Sequence, residues 1–153
     1  MCGNIPSRAS DGGLIAVIHP LKESASSLSS SEENMNEFKI LFNNRDNPHR
    51  TNAIFLVSDK STRRALQINP FFNLRIEKSG DLSAATEASS AEPLYSFKLN
   101  ATQIDNQEFE LPLKLDLGIS ATGIVGRLVR VVTSGKKQER EDHVLGMGVI
   151  GWN

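Results

Sequence analysis

A strict two-residue alternation over residues 108–119 constrains the fold more than any other feature of the sequence. Apolar residues occupy every odd position of this stretch, namely Phe109, Leu111, Leu113, Leu115, Leu117 and Ile119. Successive side chains of a β-strand point to opposite faces of its sheet, so this period predicts a strand with one face in the core. Pro112 lies inside the stretch and cannot donate a hydrogen bond to a neighbouring strand. We therefore expect this strand to lie at a sheet margin or to bend at Pro112.

Other segments carry comparable strand signals. Residues 66–76 show a second long alternation, again interrupted by a proline, whereas residues 53–57 and 123–132 are apolar on both faces, which is typical of central strands. One helical turn is expected after Ser58 or Asp59, either of which can cap it. The predicted strands are residues 14–18, 37–42, 53–57, 66–76, 94–100, 108–119, 123–132 and 143–152.

This pattern predicts the fold class. Short strands recur at regular spacing, and strands do not alternate with helices, so we expect an all-β, mainly antiparallel fold. The architecture would be a single β-sandwich or a jelly-roll-like barrel of about 7–8 strands with at most one short helix. Residues 1–36 are predicted to form a flexible N-terminal segment, with a short strand at 14–18 and a Ser/Glu-rich linker at 22–34. Residues 37–153 are predicted to form the β-sandwich domain.

Cysteine usage and hydropathy indicate the compartment. The chain has one cysteine, Cys2, which cannot form an internal disulfide, and this composition favours a reducing environment. The early apolar run at residues 14–18 is too short to cross a membrane as a helix. We therefore predict an intracellular, cytoplasmic protein without a transmembrane segment.

No motif in the sequence predicts catalysis, a metal site or a bound cofactor. Gly146, Gly148 and Gly151 match the G-x-G-x-x-G spacing of dinucleotide-binding sites, but only two residues of this sequence follow Gly151. A helix after the last glycine is needed to face the pyrophosphate, so we interpret these glycines as positions of close backbone approach or of a β-bulge. The three histidines are far apart in the sequence and lack metal-ligand spacing. We predict a protein that is not an enzyme.

Basic residues form two groups in the sequence. The net charge is −1, which argues against binding nucleic acid by bulk charge and leaves a local patch as the means of binding. Such a patch would bind a polyanion, either RNA or an anionic lipid headgroup; the alternative is that these residues only keep surface loops soluble. The candidate polyanion-binding residues are Lys60, Arg63, Arg64, Arg127, Arg130, Lys136, Lys137 and Arg140.

These observations predict a non-catalytic interaction or assembly protein that meets a protein partner, or a second copy of itself, through a sheet edge or face. In form, the predicted domain is similar to the compact, disulfide-free sandwiches of viral matrix, capsid and movement proteins, and the resemblance implies a structural or accessory role. One alternative is a nucleic-acid-binding accessory protein that acts through the basic groups. A further alternative is an enzyme whose site follows no recognisable motif.

Overall fold

The structure, a computed structural model, describes residues 13–21, 35–82, 92–133 and 143–153. In these ranges it contains eight strands, one α-helix (α1) and one short 3-10 helix. The elements in chain order are β1 (Leu14–Pro20), β2 (Phe38–Asn43), β3 (Asn52–Leu56), α1 (Lys60–Gln67), β4 (Phe71–Ile76), β5 (Tyr95–Asn100), the 3-10 helix (Ala101–Asn106), β6 (Glu108–Glu110), β7 (Leu128–Thr133) and β8 (His143–Trp152). The all-β prediction is confirmed.

The eight strands form one sheet in the order β5-β4-β7-β8-β1-β2-β3-β6, and every neighbouring pair is antiparallel. Strand β8 is ten residues long, pairs with β7 on one side and with β1 on the other, and so links the two halves of the sheet. The edge strands β5 and β6 are joined by the 3-10 helix. The sheet is therefore nearly closed into a barrel.

Phenylalanine rings from opposite parts of the sheet meet in the interior. The Phe55 ring of β3 lies 5.1 Å from that of Phe109 and 5.6 Å from that of Phe72, measured between ring centroids. All three side chains are almost completely buried and meet edge to face. Such pairs add about 0.5–1.5 kcal/mol to the stabilisation from burial. Because β4 and β3 are not neighbours in the sheet, these contacts hold the barrel closed across its core.

Strand β1 lies inside the sheet, between β8 and β2. Its residue Ala16 is opposite Ile40 on one side and Ile150 on the other, and all three are buried. The strand predicted at residues 14–18 is thus present, and the sheet begins ahead of the predicted domain start at residue 37. The predicted linker at 22–34 lies outside the described residues.

Several strand predictions are confirmed in their position. The strands predicted at 37–42, 94–100 and 143–152 correspond to β2, β5 and β8. The strand predicted at 123–132 begins later, at Leu128, but β7 is buried along its whole length as expected of a central strand. The charged loop at 134–142 lies outside the described residues.

The prediction of one continuous strand over residues 108–119 is wrong, because β6 ends at Glu110. Immediately beyond that point the backbone bonds to Thr51 and no longer to β3 in a regular ladder. The Leu111 N–H donates to the Thr51 carbonyl at 2.8 Å, and the Thr51 N–H donates to the Leu113 carbonyl at 3.2 Å. Pro112 has no N–H to offer a neighbouring strand, so the chain leaves the ladder there.

The alternation over residues 108–119 still predicts part of the buried face. Leu111 and Leu115 are buried beside Phe109, but Leu113 is 37% exposed and Ile119 is 80% exposed. Irregular backbone after Pro112 no longer alternates between two faces, which is why the period fails there.

The alternation over residues 66–76 was also interpreted wrongly as one strand. The Asp59 carboxylate accepts a hydrogen bond from the Thr62 N–H at 2.8 Å, so it caps helix α1 as predicted. The helix continues to Gln67 and includes Leu66, and β4 begins only at Phe71. Pro70 precedes the strand, where its missing N–H removes no ladder bond.

Candidate interaction surface

The first group of predicted basic residues lies on helix α1. Lys60 and Arg64 are exposed and lie one helical turn apart, so their side chains project on the same side of the helix. The guanidinium of Arg63 instead turns back to the protein, and its Nη2 donates to the Val57 carbonyl at 3.1 Å. Two of the three side chains are therefore directed to the surface.

Arg127, from the second group, binds backbone within the protein. Its Nε donates to the Gly123 carbonyl at 2.5 Å and its Nη2 to the Ala121 carbonyl at 2.6 Å, and its Nη1 donates to the Lys78 carbonyl. This guanidinium joins two turns of the chain that are distant in sequence. Each of its three nitrogens donates to a backbone carbonyl, so its evident role is structural.

Arg130 is only 4% exposed and lies on β7 directly opposite Arg75 of β4. Both side chains approach one carboxylate: Glu77 Oε1 lies 3.8 Å from Arg130 Nη1 and 3.4 Å from Arg75 Nε. A buried cation needs such a partner, because an unpaired charge in the interior is very costly. Arg130 is therefore not part of an exposed patch, while Lys136, Lys137 and Arg140 lie outside the described residues.

One of the three histidines, His19, lies beside a carboxylate. His19 Nδ1 lies 3.2 Å from Glu37 Oε2, with both side chains largely exposed. Over the described residues, no group of three or more His, Cys, Asp or Glu side chains is placed to hold a metal ion.

The apolar surface on the outside of the sheet was not predicted from the sequence. On the face of the sheet that points away from the core, Ile15 is directly opposite Leu41, and Leu41 is directly opposite Ile54. All three side chains are half-buried. The same face of β1, β3 and β8 adds further aliphatic side chains, and we call the whole set the outer apolar surface: Ile15, Val17, Leu41, Ile54, Leu56 and Val149.

Leu56 and Val149 are the most open members of this surface, at 38% and 40% exposed. Residues 53–57 were predicted to be buried on both faces, and the exposure of Leu56 shows that this prediction is wrong for the outer face. A strand that is apolar on both faces is typical either of burial between two layers or of an exposed apolar face, and the sequence alone does not separate the two cases.

Charged side chains also lie on the face of the sheet that carries the outer apolar surface. Lys39 is exposed on β2, opposite Val17 on one side and Leu56 on the other. Glu108 is exposed on β6, opposite Ile54. Lys39 and Glu108 are two strands apart and two residues out of register, so their Cα atoms are separated by roughly 12 Å. The surface thus carries charges of both signs.

No helix in the described part of the chain is long and apolar enough to span a membrane. A scan against models of known protein families found no match to the sequence, and a search of curated proteins found none either.

Proposed function

We propose that this protein is a non-catalytic interaction or assembly protein, and that the outer apolar surface packs against the same surface of a second copy. The observation that carries the proposal is the unbroken row Ile15–Leu41–Ile54 across three neighbouring strands. Contiguous apolar surface that remains accessible on a sheet face is a feature of many protein interaction sites. The single cysteine is compatible with action in the reducing cytoplasm.

A second copy suits this surface better than a strongly charged partner does. In a two-fold interface the same patch contributes both sides, so it must be complementary to itself. Lys39 and Glu108 give the patch opposite charges, and the net charge of the chain is only −1. Two copies therefore approach without strong repulsion, and each surface offers a cation and a carboxylate to its mate. Sheets that pack face to face lie about 10 Å apart, which lets the aliphatic side chains interdigitate.

The test is the molar mass of the full chain in solution, measured by light scattering across a range of concentrations. The native chain should form dimers, and Leu56→Lys should shift it to monomer because a charge would be buried between the sheets. Ile119→Lys is the matched control, since Ile119 is an exposed aliphatic residue outside this surface; it should remain dimeric. A native chain that stays monomeric at every concentration contradicts the proposal, as does a control that dissociates equally.

A nucleic-acid-binding accessory role is the second candidate, and the basic face of α1 supports it. The stretch from residue 60 to residue 76 contains four basic residues and no acidic residue. This role predicts binding to RNA or DNA that weakens steeply with added salt. Retention of labelled single-stranded RNA on a filter at low salt would support it, provided that Lys60→Glu with Arg64→Glu removes the retention.

A further inference from the structure

Helix α1 ends beside two exposed apolar side chains. Ile68, which is the C-terminal cap of α1, is 65% exposed, and Phe71, the first residue of β4, is 43% exposed. Lys60, Arg64 and Ile68 follow at intervals of four residues, so all three project on the same side of the helix. The chain therefore presents basic and apolar side chains next to each other.

Strand β5 completes this surface. Lys98 Nζ lies over the Phe71 ring at 4.5 Å from its centroid, an arrangement in which the cation and the ring attract each other. Phe71 is directly opposite Asn100 in the β4–β5 pair, which brings the edge strand beside the end of α1. We name the combined set the cationic corner: Lys60, Arg64, Ile68, Phe71 and Lys98.

Acidic residues are absent from the segments that form the cationic corner. Residues 60–76 and 93–104 together carry five basic residues and no Asp or Glu. Four acids flank these two ranges directly: Asp59, Glu77, Glu92 and Asp105. The Asp59 carboxylate is engaged by Ser61 and Thr62 as the helix cap.

Glu77 and Glu92 lie at the end of the β4–β5 pair away from Phe71, and Glu77 is buried beside Arg75 and Arg130. Asp105 is exposed on the 3-10 helix packed against α1, and Glu37 is exposed next to Asn36, whose N–H donates to Thr62 Oγ1 of α1 at 2.8 Å. The corner thus concentrates positive charge on a chain whose net charge is −1.

We propose that the cationic corner binds the surface of an anionic phospholipid membrane. The basic groups would contact lipid phosphates, while Ile68 and Phe71 would enter the boundary between headgroups and acyl chains. Basic groups beside exposed apolar side chains favour a membrane over single-stranded nucleic acid as the ligand, because nucleic acid needs open aromatic faces on which its bases can stack. Ile68 has no π-face, and one face of Phe71 is already covered by Lys98. The corner consists of residues other than those of the outer apolar surface, so a bound dimer and a bound membrane do not compete for the same side chains.

The proposal is tested by sedimenting the full chain with vesicles of phosphatidylcholine that contain, or lack, phosphatidylserine. Binding is expected only with phosphatidylserine. Lys60→Glu combined with Arg64→Glu should weaken it by at least about 25-fold, because each basic residue near an anionic surface contributes about five-fold. Ile68→Ser should weaken binding to the same vesicles several-fold without changing the net charge, which a purely electrostatic contact would not show.

Two matched controls lie elsewhere on the surface. Lys114→Glu reverses an exposed charge and Ile119→Ser removes an exposed aliphatic side chain, and neither should change vesicle binding by more than about two-fold. Equal binding to vesicles without phosphatidylserine would overturn the proposal. So would binding that is unaffected by the corner substitutions, or corner-dependent binding to single-stranded RNA with no binding to vesicles. Binding of soluble glycerophosphoserine in the absence of any vesicle binding would likewise overturn it, because the ligand would then be a free phosphate.

Discussion

Gly148 of β8 lies so close to Val17 of β1 that a Cβ atom at position 148 would be 2.0 Å from the Val17 carbonyl oxygen. That oxygen belongs to the backbone of an interior strand and cannot turn aside. We therefore expect Gly148→Ala to lower the free energy of unfolding by about 3 kcal/mol, at the upper end of the cost of overfilling a core. Urea denaturation followed by circular dichroism measures the change.

Gly151 is the control, because a Cβ atom added there would have no neighbour within 4 Å. Gly151→Ala should leave stability unchanged or raise it by about 0.5 kcal/mol, through loss of backbone freedom in the unfolded chain. Equal destabilisation by the two substitutions would mean that the β1–β8 contact is not the cause. Gly146 and Gly148 thus serve close packing of β8 against β1, as the sequence analysis predicted, whereas Gly151 has no such close neighbour and the prediction is wrong for that position.

The sequence predicts elements whose signal is local. β2 and β5 follow their alternation because one face of each is buried and the other is open, and the cap at Asp59 needs only the next three residues. The end of β6 could not be predicted in this way. It depends on hydrogen bonds between Thr51 and residues some sixty positions later, which leave no local pattern.

The same distinction applies to the candidate surfaces. Lys60 and Arg64 could be grouped from the sequence because they share one helix. The addition of Phe71 and Lys98 depends on the β4–β5 register, and the row Ile15–Leu41–Ile54 depends on three strands coming together. Pairing between strands distant in the sequence is the step that a period along one strand does not reveal.

The Thr51 side chain joins segments of the chain that are distant in sequence, and its substitution tests how much this contact stabilises the fold. Its Oγ1 accepts a hydrogen bond from the Leu115 N–H at 2.8 Å and donates one to Asn44 Oδ1 at 2.5 Å, and the residue is fully buried. Thr51→Val keeps the shape but leaves the Leu115 N–H without its acceptor, so we expect a loss of about 1–3 kcal/mol in unfolding free energy. Thr51→Ser retains the hydroxyl and should recover most of the hydrogen-bond contribution. If Ser is as destabilising as Val, the hydroxyl is not responsible.

Substitution of Arg127 distinguishes a structural role for this residue from a role in binding a polyanion. Arg127→Ala removes three donors to backbone carbonyls and should cost about 1.5–3 kcal/mol in stability. Arg64→Ala, at an exposed position, should change stability by no more than about 0.5 kcal/mol. Thermal and urea unfolding of the two variants give the comparison. If Arg127→Ala does not change the free energy of unfolding, the structural role is wrong and Arg127 remains a candidate polyanion-binding residue.

The helix cap gives the protein a defined pH dependence. Hydrogen bonds from the Ser61 hydroxyl and from the Thr62 N–H lower the pKa of Asp59 from its ordinary value of 3.8 to about 2. A carboxyl whose pKa is lower in the folded state stabilises the fold when it is ionised. This contribution is therefore complete at pH values well above 3.8 and is lost as the pH falls through the range from 3.8 to about 2.

Asp59→Asn tests that contribution directly. An asparagine also caps a helix, so the variant should keep its helix but lose the pH-dependent part of the stability difference. We expect the native chain to be more stable than Asp59→Asn near neutral pH, and the two to converge as the pH approaches 2. Asp59→Ala, which removes the cap, should cost about 1 kcal/mol near neutral pH. Urea midpoints measured as a function of pH supply the data, and parallel curves for native and Asn chains would contradict the assignment.

Leu113 and Leu115 test whether residues 108–119 form one continuous strand. Leu115 is 1% exposed and packs in the core, whereas Leu113 is 37% exposed on the irregular segment after Pro112. Leu115→Ala should therefore lower the unfolding free energy by about 2–5 kcal/mol, through lost burial and a remaining cavity. Leu113→Ala should cost less than about 1 kcal/mol, because much of its surface is already in water. In a continuous strand across residues 108–119, both leucines would face the core and the two substitutions would be equally costly. Equal losses of unfolding free energy in urea denaturation would therefore contradict the end of the strand before Pro112.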